Sequence, residues 1–125
     1  MGGVVIVDDD PLMRSLLLEW VGGAGYTASA LAHAHADVPA GELLIMDIFM
    51  PRGDGARQLQ RARAAHPHTP IIAISGQFER GLDASAATAE SLGVHRLIAK
   101  PFTRQTLLDA IRAAIGPPRA GAAHA

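Results

Sequence analysis

The stretch Val4-Val5-Ile6-Val7-Asp8-Asp9-Asp10-Pro11 decides the fold. Its first four residues are β-branched and apolar without interruption, which predicts a strand buried on both faces, the habit of parallel sheets. The strand stops abruptly at three carboxylates. Pro11 suits the first turn of a helix, where its missing N–H costs nothing, and Asp10 can cap that helix. Met13, Leu16, Leu17, Trp20 and Val21 then recur on one face at helical spacing until Gly22-Gly23 ends the segment.

The same unit recurs along the chain. Leu43-Leu44-Ile45-Met46 is a second buried run and ends in Asp47. Pro70 opens a third, Ile71-Ile72-Ala73-Ile74, which ends in Ser75-Gly76, and Leu97-Ile98-Ala99 ends in Lys100-Pro101. Tyr26 to Leu31 alternates weakly and reads as a strand. Between these lie a helix carrying Leu59, Ala62 and Ala65 up to Pro67, and another over Asp83 to Leu92 stopped by Gly93. A last helix, capped by Thr103, bears Leu107, Leu108, Ile111 and Ile115 and is closed by Gly116-Pro117-Pro118. Strands alternating with helices five times predict an α/β fold: a doubly wound five-stranded parallel sheet, right-handed crossovers, helices on both faces. Residues 1–116 form one domain in this reading, and the Ala/Gly-rich residues 117–125 are expected to fray.

Composition narrows the function classes. With 125 residues, 49% of them hydrophobic, the chain can bury a core without staples. It has no cysteine, which excludes disulfides, thiolate catalysis and thiolate zinc sites together. Eleven basic against twelve acidic residues leave no electrostatic footprint for nucleic acid. No apolar run approaches the roughly 20 residues of a membrane helix, and Met1-Gly2-Gly3 lacks the basic start of a signal peptide. A cytoplasmic monomer or weak dimer is the expectation.

In open parallel sheets, ligands bind outside the carboxyl ends of the strands. Here those ends carry Asp8-Asp9, Asp47, Ser75 and Lys100, and a doubly wound sheet would gather them in one shallow cleft. Clustered carboxylates repel unless a cation offsets them. Oxygen-only ligands in an open cleft suit magnesium, which keeps several waters and completes its shell with phosphate oxygens. A carboxylate beside magnesium and a lysine is a nucleophile toward phosphorus, so the residues read as an aspartyl-phosphate site.

At this point the sequence resembles the receiver domain of two-component response regulators, of the stand-alone chemotaxis type, over residues 4 to about 116. The resemblance rests on Val7-Asp8-Asp9-Asp10-Pro11-Leu12-Met13-Arg14, on Met46-Asp47-Ile48-Phe49-Met50-Pro51-Arg52-Gly53-Asp54-Gly55, on Ile74-Ser75-Gly76 and on Lys100-Pro101-Phe102, in that order. It implies a flavodoxin-like strand order 2-1-3-4-5. It also implies that Asp47 accepts the phosphoryl group and is itself a Mg2+ ligand, that Asp9 ligates Mg2+ directly and Asp8 through water, and that the Phe49 backbone carbonyl completes the protein ligands. Ser75 would donate its hydroxyl to the phosphoryl group, Lys100 would pair with its oxygens, and the Lys100-Pro101 bond would be cis. The implied phosphoryl donor is a histidine kinase or histidine phosphotransfer protein. The signal would leave through contact with a downstream protein, since no output domain follows the last helix.

Two features depart from that family. Tyr26 to Asp47 spans roughly five residues fewer than expected, so the second helix is shortened or irregular, with Pro39 and Gly41 interrupting it. Leu97 stands where the family usually carries an aromatic switch residue, which shifts the expected switch to the loop Gly76–Gly81. Two other functions compete. A pseudo-receiver would bind partners without phosphorylation. A haloacid-dehalogenase-type phosphatase would use the Asp-x-Asp within Asp8-Asp9-Asp10, but it needs a further acidic pair after the lysine, where only Asp109 stands. The histidines suggest no metal site: His33 and His35 lack a third partner, and His66, His68 and His95 read as solvated. Gly22, Gly23 and Gly25 follow a helix rather than a strand and so do not form a phosphate loop.

Overall fold

The computed structural model describes residues 3–32, 41–48, 54–75, 90 and 93–118. The expected short second helix, the Phe49 carbonyl, the loop after Ser75, most of the helix over Asp83 to Leu92, and residues 119–125 lie outside them. In chain order the elements are β1 (Val4–Val7), α1 (Pro11–Gly23), β2 (Ala28–Leu31), β3 (Leu43–Asp47), α2 (Asp54–Ala65), β4 (Ile71–Ser75), β5 (Arg96–Ala99) and α3 (Arg104–Ile115). The five strands form one sheet in the order β2-β1-β3-β4-β5, and every neighbouring pair is parallel.

The unbroken apolar runs are buried on both faces, as two-sided coverage requires. Alternate residues divide between two core layers. Val4, Ile6, Leu43, Ile45, Ile72, Ile74 and Ile98 pack with Leu17 and Val21 of α1 and Leu107, Ala110 and Ile111 of α3. Val5, Val7, Leu44, Met46, Ile71, Ala73 and Leu97 pack on the other face with Leu59 and Ala62 of α2. Ala65, expected on the same stripe, is exposed. Positions three apart turn by about 300° on a helix, so the row from Leu59 has drifted off the face by Ala65. Met13 and Trp20, expected in the core, sit half-buried against it.

The caps form as the sequence predicts. The Asp10 side chain accepts from the Leu12 N–H, and the Thr103 hydroxyl accepts from the Thr106 N–H. Gly93 takes φ 74°, a left-handed backbone that residues with a Cβ rarely adopt, which favours glycine at this stop. One long-range bond ties the ends of the α1/α3 layer together: the Tyr26 hydroxyl donates to the Gly116 carbonyl at 2.7 Å. Loss of contact with water raises the pKa of that hydroxyl, which keeps it a donor. Tyr26→Phe should therefore destabilise the domain by about 1 kcal/mol, read as a lower urea midpoint at unchanged slope.

Candidate functional site

The sheet register assembles the polar strand ends. Val7 pairs with Met46, so Asp8 and Asp47 follow on neighbouring strands. Asp47 pairs with Ile74 and Ser75 with Ala99, which puts Lys100 one step beyond. Backbone bonds extend the ladder past the strands: Asp8 N–H donates to Leu31 O at 3.0 Å, Ile48 N–H to Ile74 O at 2.8 Å, and Lys100 N–H to Ser75 O at 2.9 Å. The Lys100-Pro101 bond is cis, as the resemblance implies.

Asp47 is 4% exposed, and its Oδ2 accepts from Lys100 Nζ at 2.7 Å. Such short charge-assisted contacts are strong in a partly dehydrated setting. Ser75 is buried beside this pair's strands. Asp8 is fully buried. Its Oδ1 accepts from the Asp10 N–H at 2.9 Å, whereas its Oδ2 has no hydrogen-bond partner. Burial pushes the Asp8 pKa up to about 6, opposed by the Asp10 N–H and by Lys100, and reinforced by the negative charge of Asp47.

Asp9, expected as the direct metal ligand, is exposed. Asp8 still belongs to the ladder through its N–H, and the chain turns outward only after it. Among the described residues, no three acidic or imidazole groups lie close enough to cage a metal ion. The structure thus brings together Asp8, Asp47 and Lys100, and leaves Asp9 exposed next to Asp8 in the chain. The two carboxylates nevertheless fit a magnesium ion. They are hard oxygen donors, one oxygen of Asp8 is buried without a partner, and magnesium retains waters for the rest of its shell.

Two features were not legible as site elements in the sequence. An apolar pocket of about 420 Å³ flanks Lys100, lined by Met13, Leu16, Trp20, Pro101 and Phe102, with the Trp20 and Phe102 rings edge-to-face at 6.2 Å. Arg14 folds back from α1, and its Nη1 donates to the Asp8 carbonyl at 2.8 Å. A cation near the start of a helix was the signal available for Arg14.

Comparison with known proteins agrees with the fold. Residues 4–112 match the family model described as response regulator receiver domain. Among curated proteins, the chain is 38% identical over 109 residues to a Pseudomonas aeruginosa protein-glutamate methylesterase/protein-glutamine glutaminase 2, covering 78% of the chain and 30% of that protein. It is 31% identical over 120 residues to the transcriptional regulatory protein CpxR of Klebsiella pneumoniae, covering 90% of the chain and 49% of that protein. The chain thus spans less than half the length of these relatives. Among solved structures, a CheY-like receiver domain protein from Methanospirillum hungatei superposes with a TM-score of 0.75 at 22% identity, covering 90% of this chain and 91% of that one. The receiver domain of NtrX from Brucella abortus gives 0.73 at 26% identity, covering 90% and 97%.

Proposed function

This chain belongs to the response regulator receiver domains, the phosphorylatable signalling switches of two-component systems, and on that premise we propose that Asp47 is its phosphoryl acceptor in a Mg2+-dependent reaction. The observation that carries the reading is the buried Asp47 carboxylate held by Lys100 at 2.7 Å beside the buried Asp8. Receiver domains take phosphoryl groups from histidine kinases, and a histidine kinase or histidine phosphotransfer protein is the donor proposed here. A carboxylate oxygen of Asp47 attacks phosphorus, the P–N bond of the phosphohistidine breaks, and the electron pair leaves with the imidazole. Lys100 holds the acceptor in place and then faces the new phosphoryl oxygens, whose charge it offsets. The Ser75 hydroxyl donates to one of those oxygens. As the resemblance implies, Asp9 would ligate the cation directly and Asp8 through water, and Asp47 and the Phe49 carbonyl would complete the protein ligands. When bound, the cation offsets negative charge on the transferring group.

No helix among the described residues is long and apolar enough to cross a membrane. The proposed output is contact with a downstream protein. The test is to mix the chain with acetyl phosphate, with and without Mg2+, and follow its intact mass. One phosphoryl group per chain, gained only with Mg2+, is the expected result. No gain under any condition would favour a phosphorylation-independent pseudo-receiver, and multiple turnover of an organic phosphate would favour a haloacid-dehalogenase-type phosphatase.

A further inference from the structure

We propose that Arg14 is a positioning residue for the cation site, holding the Asp8 carbonyl and thereby fixing how the Asp8 carboxylate is presented. This rests on reading Asp8 and Asp47 as ligands of a divalent cation. Arg14 is the fourth residue of α1, and its side chain turns back past the start of the helix to place Nη1 at 2.8 Å from the Asp8 carbonyl oxygen. A cation there runs against the helix dipole. The carboxylates that precede the helix, Asp10 at its N-cap among them, attract that charge, but they do not by themselves fix where the guanidinium sits. The bond to Asp8, one residue past β1, gives that placement a physical reason.

The bond completes a set that immobilises the acidic turn. Asp10 N–H holds Asp8 Oδ1 at 2.9 Å, Leu12 N–H holds Asp10 Oδ1 at 3.0 Å, and Arg14 N–H holds the Asp10 carbonyl at 2.9 Å. With the Asp8 carbonyl held as well, the oxygen of the Asp8 carboxylate left over is Oδ2, which is buried and has no partner. Its direction is then set by the backbone and not by a contact of its own. Outer partners of this kind orient a ligand without touching the metal.

Positioning and simple charge predict opposite signs. Arg14 puts a positive charge beside Asp8, Asp9 and Asp10. If charge were its whole effect, removing it would strengthen cation binding. If it positions Asp8, removing it weakens binding. Arg14→Met keeps the aliphatic stem and removes both charge and donors, whereas Arg14→Lys keeps the charge and one donor. Calorimetric titration of the full chain with MgCl2 at fixed ionic strength should show Arg14→Met binding about tenfold more weakly, with Arg14→Lys recovering most of the loss. Thermal unfolding of the metal-free variants should be nearly unchanged, and the Asp10 amide of metal-free Arg14→Met should exchange faster with solvent. Saturable binding in the parent with Arg14→Met equal or tighter would overturn the assignment of Arg14 alone. No saturable binding in the parent would overturn the cation-site reading and this assignment with it.

Discussion

Asp47→Asn should reduce phosphoryl uptake from acetyl phosphate to background while leaving the fold intact. The substitution is nearly isosteric and keeps an oxygen that can accept from Lys100 Nζ, the contact made at 2.7 Å in the parent. What it removes is the anionic nucleophile, for which a neutral amide is no substitute toward phosphorus. The fold should tolerate the change because one buried negative charge beside Asp8 disappears, and that charge acts on Asp8 unfavourably. Unfolding free energy within about 1 kcal/mol of the parent is expected, in the range of mild substitutions. Stopped uptake with intact stability separates loss of chemistry from loss of structure; uptake at the parent rate would remove Asp47 from its proposed role.

The second large effect concerns Asp8 and pH. Burial raises its carboxyl from an ordinary 3.8 to about 6. The folded state therefore holds this proton more tightly than the unfolded chain does. The stabilisation is fully present below about pH 4, is lost as pH rises through about 6, and stays lost above that. A shift of this size corresponds to about 3 kcal/mol in the metal-free protein. Asp8→Asn resembles the protonated carboxyl at every pH. Relative to the parent, it should gain up to about 3 kcal/mol between about pH 4 and neutrality, and any fixed effect of burying an amide cancels in that difference. Urea unfolding at the two pH values measures it. Millimolar Mg2+ should restore part of the parent's stability at neutral pH by binding the folded state alone. A difference between parent and variant that does not change with pH would contradict the raised carboxyl.

Much of this was legible in the sequence because it depends on short-range signals. Val4–Val7 followed by three carboxylates and a proline marks strand, turn and helix through β-branching, polarity and capping, and each signal acts within a few residues. The flavodoxin-like strand order came with the family resemblance, and the sheet has that order. Asp47, Ser75 and Lys100 stood out as candidates because each follows an apolar run. The difference between Asp8 and Asp9 was not. Which of two adjacent carboxylates is buried depends on whether the backbone ladder ends before or after it, and here the Asp8 N–H is still bonded to Leu31. Arg14 was hidden for a similar reason: its partner is a backbone carbonyl six residues earlier, which leaves no pattern in side-chain types. Leu97 was singled out for lacking a ring. It is 4% exposed and packed in the layer that α2 covers, which agrees with a position that has no polar or aromatic group to present outward.

The central claim is that the phosphoryl group goes to one carboxylate. An acyl phosphate can be reduced by borohydride to the corresponding alcohol, which marks an acceptor aspartate permanently as homoserine. Peptide mapping after reaction with acetyl phosphate and reduction then reads the acceptor directly. The expected product is homoserine at position 47, dependent on Mg2+ and absent at Asp8, Asp9 and Asp10. Reduction product at any of those three positions, or a phosphorylated chain with Asp47 unchanged, would contradict it.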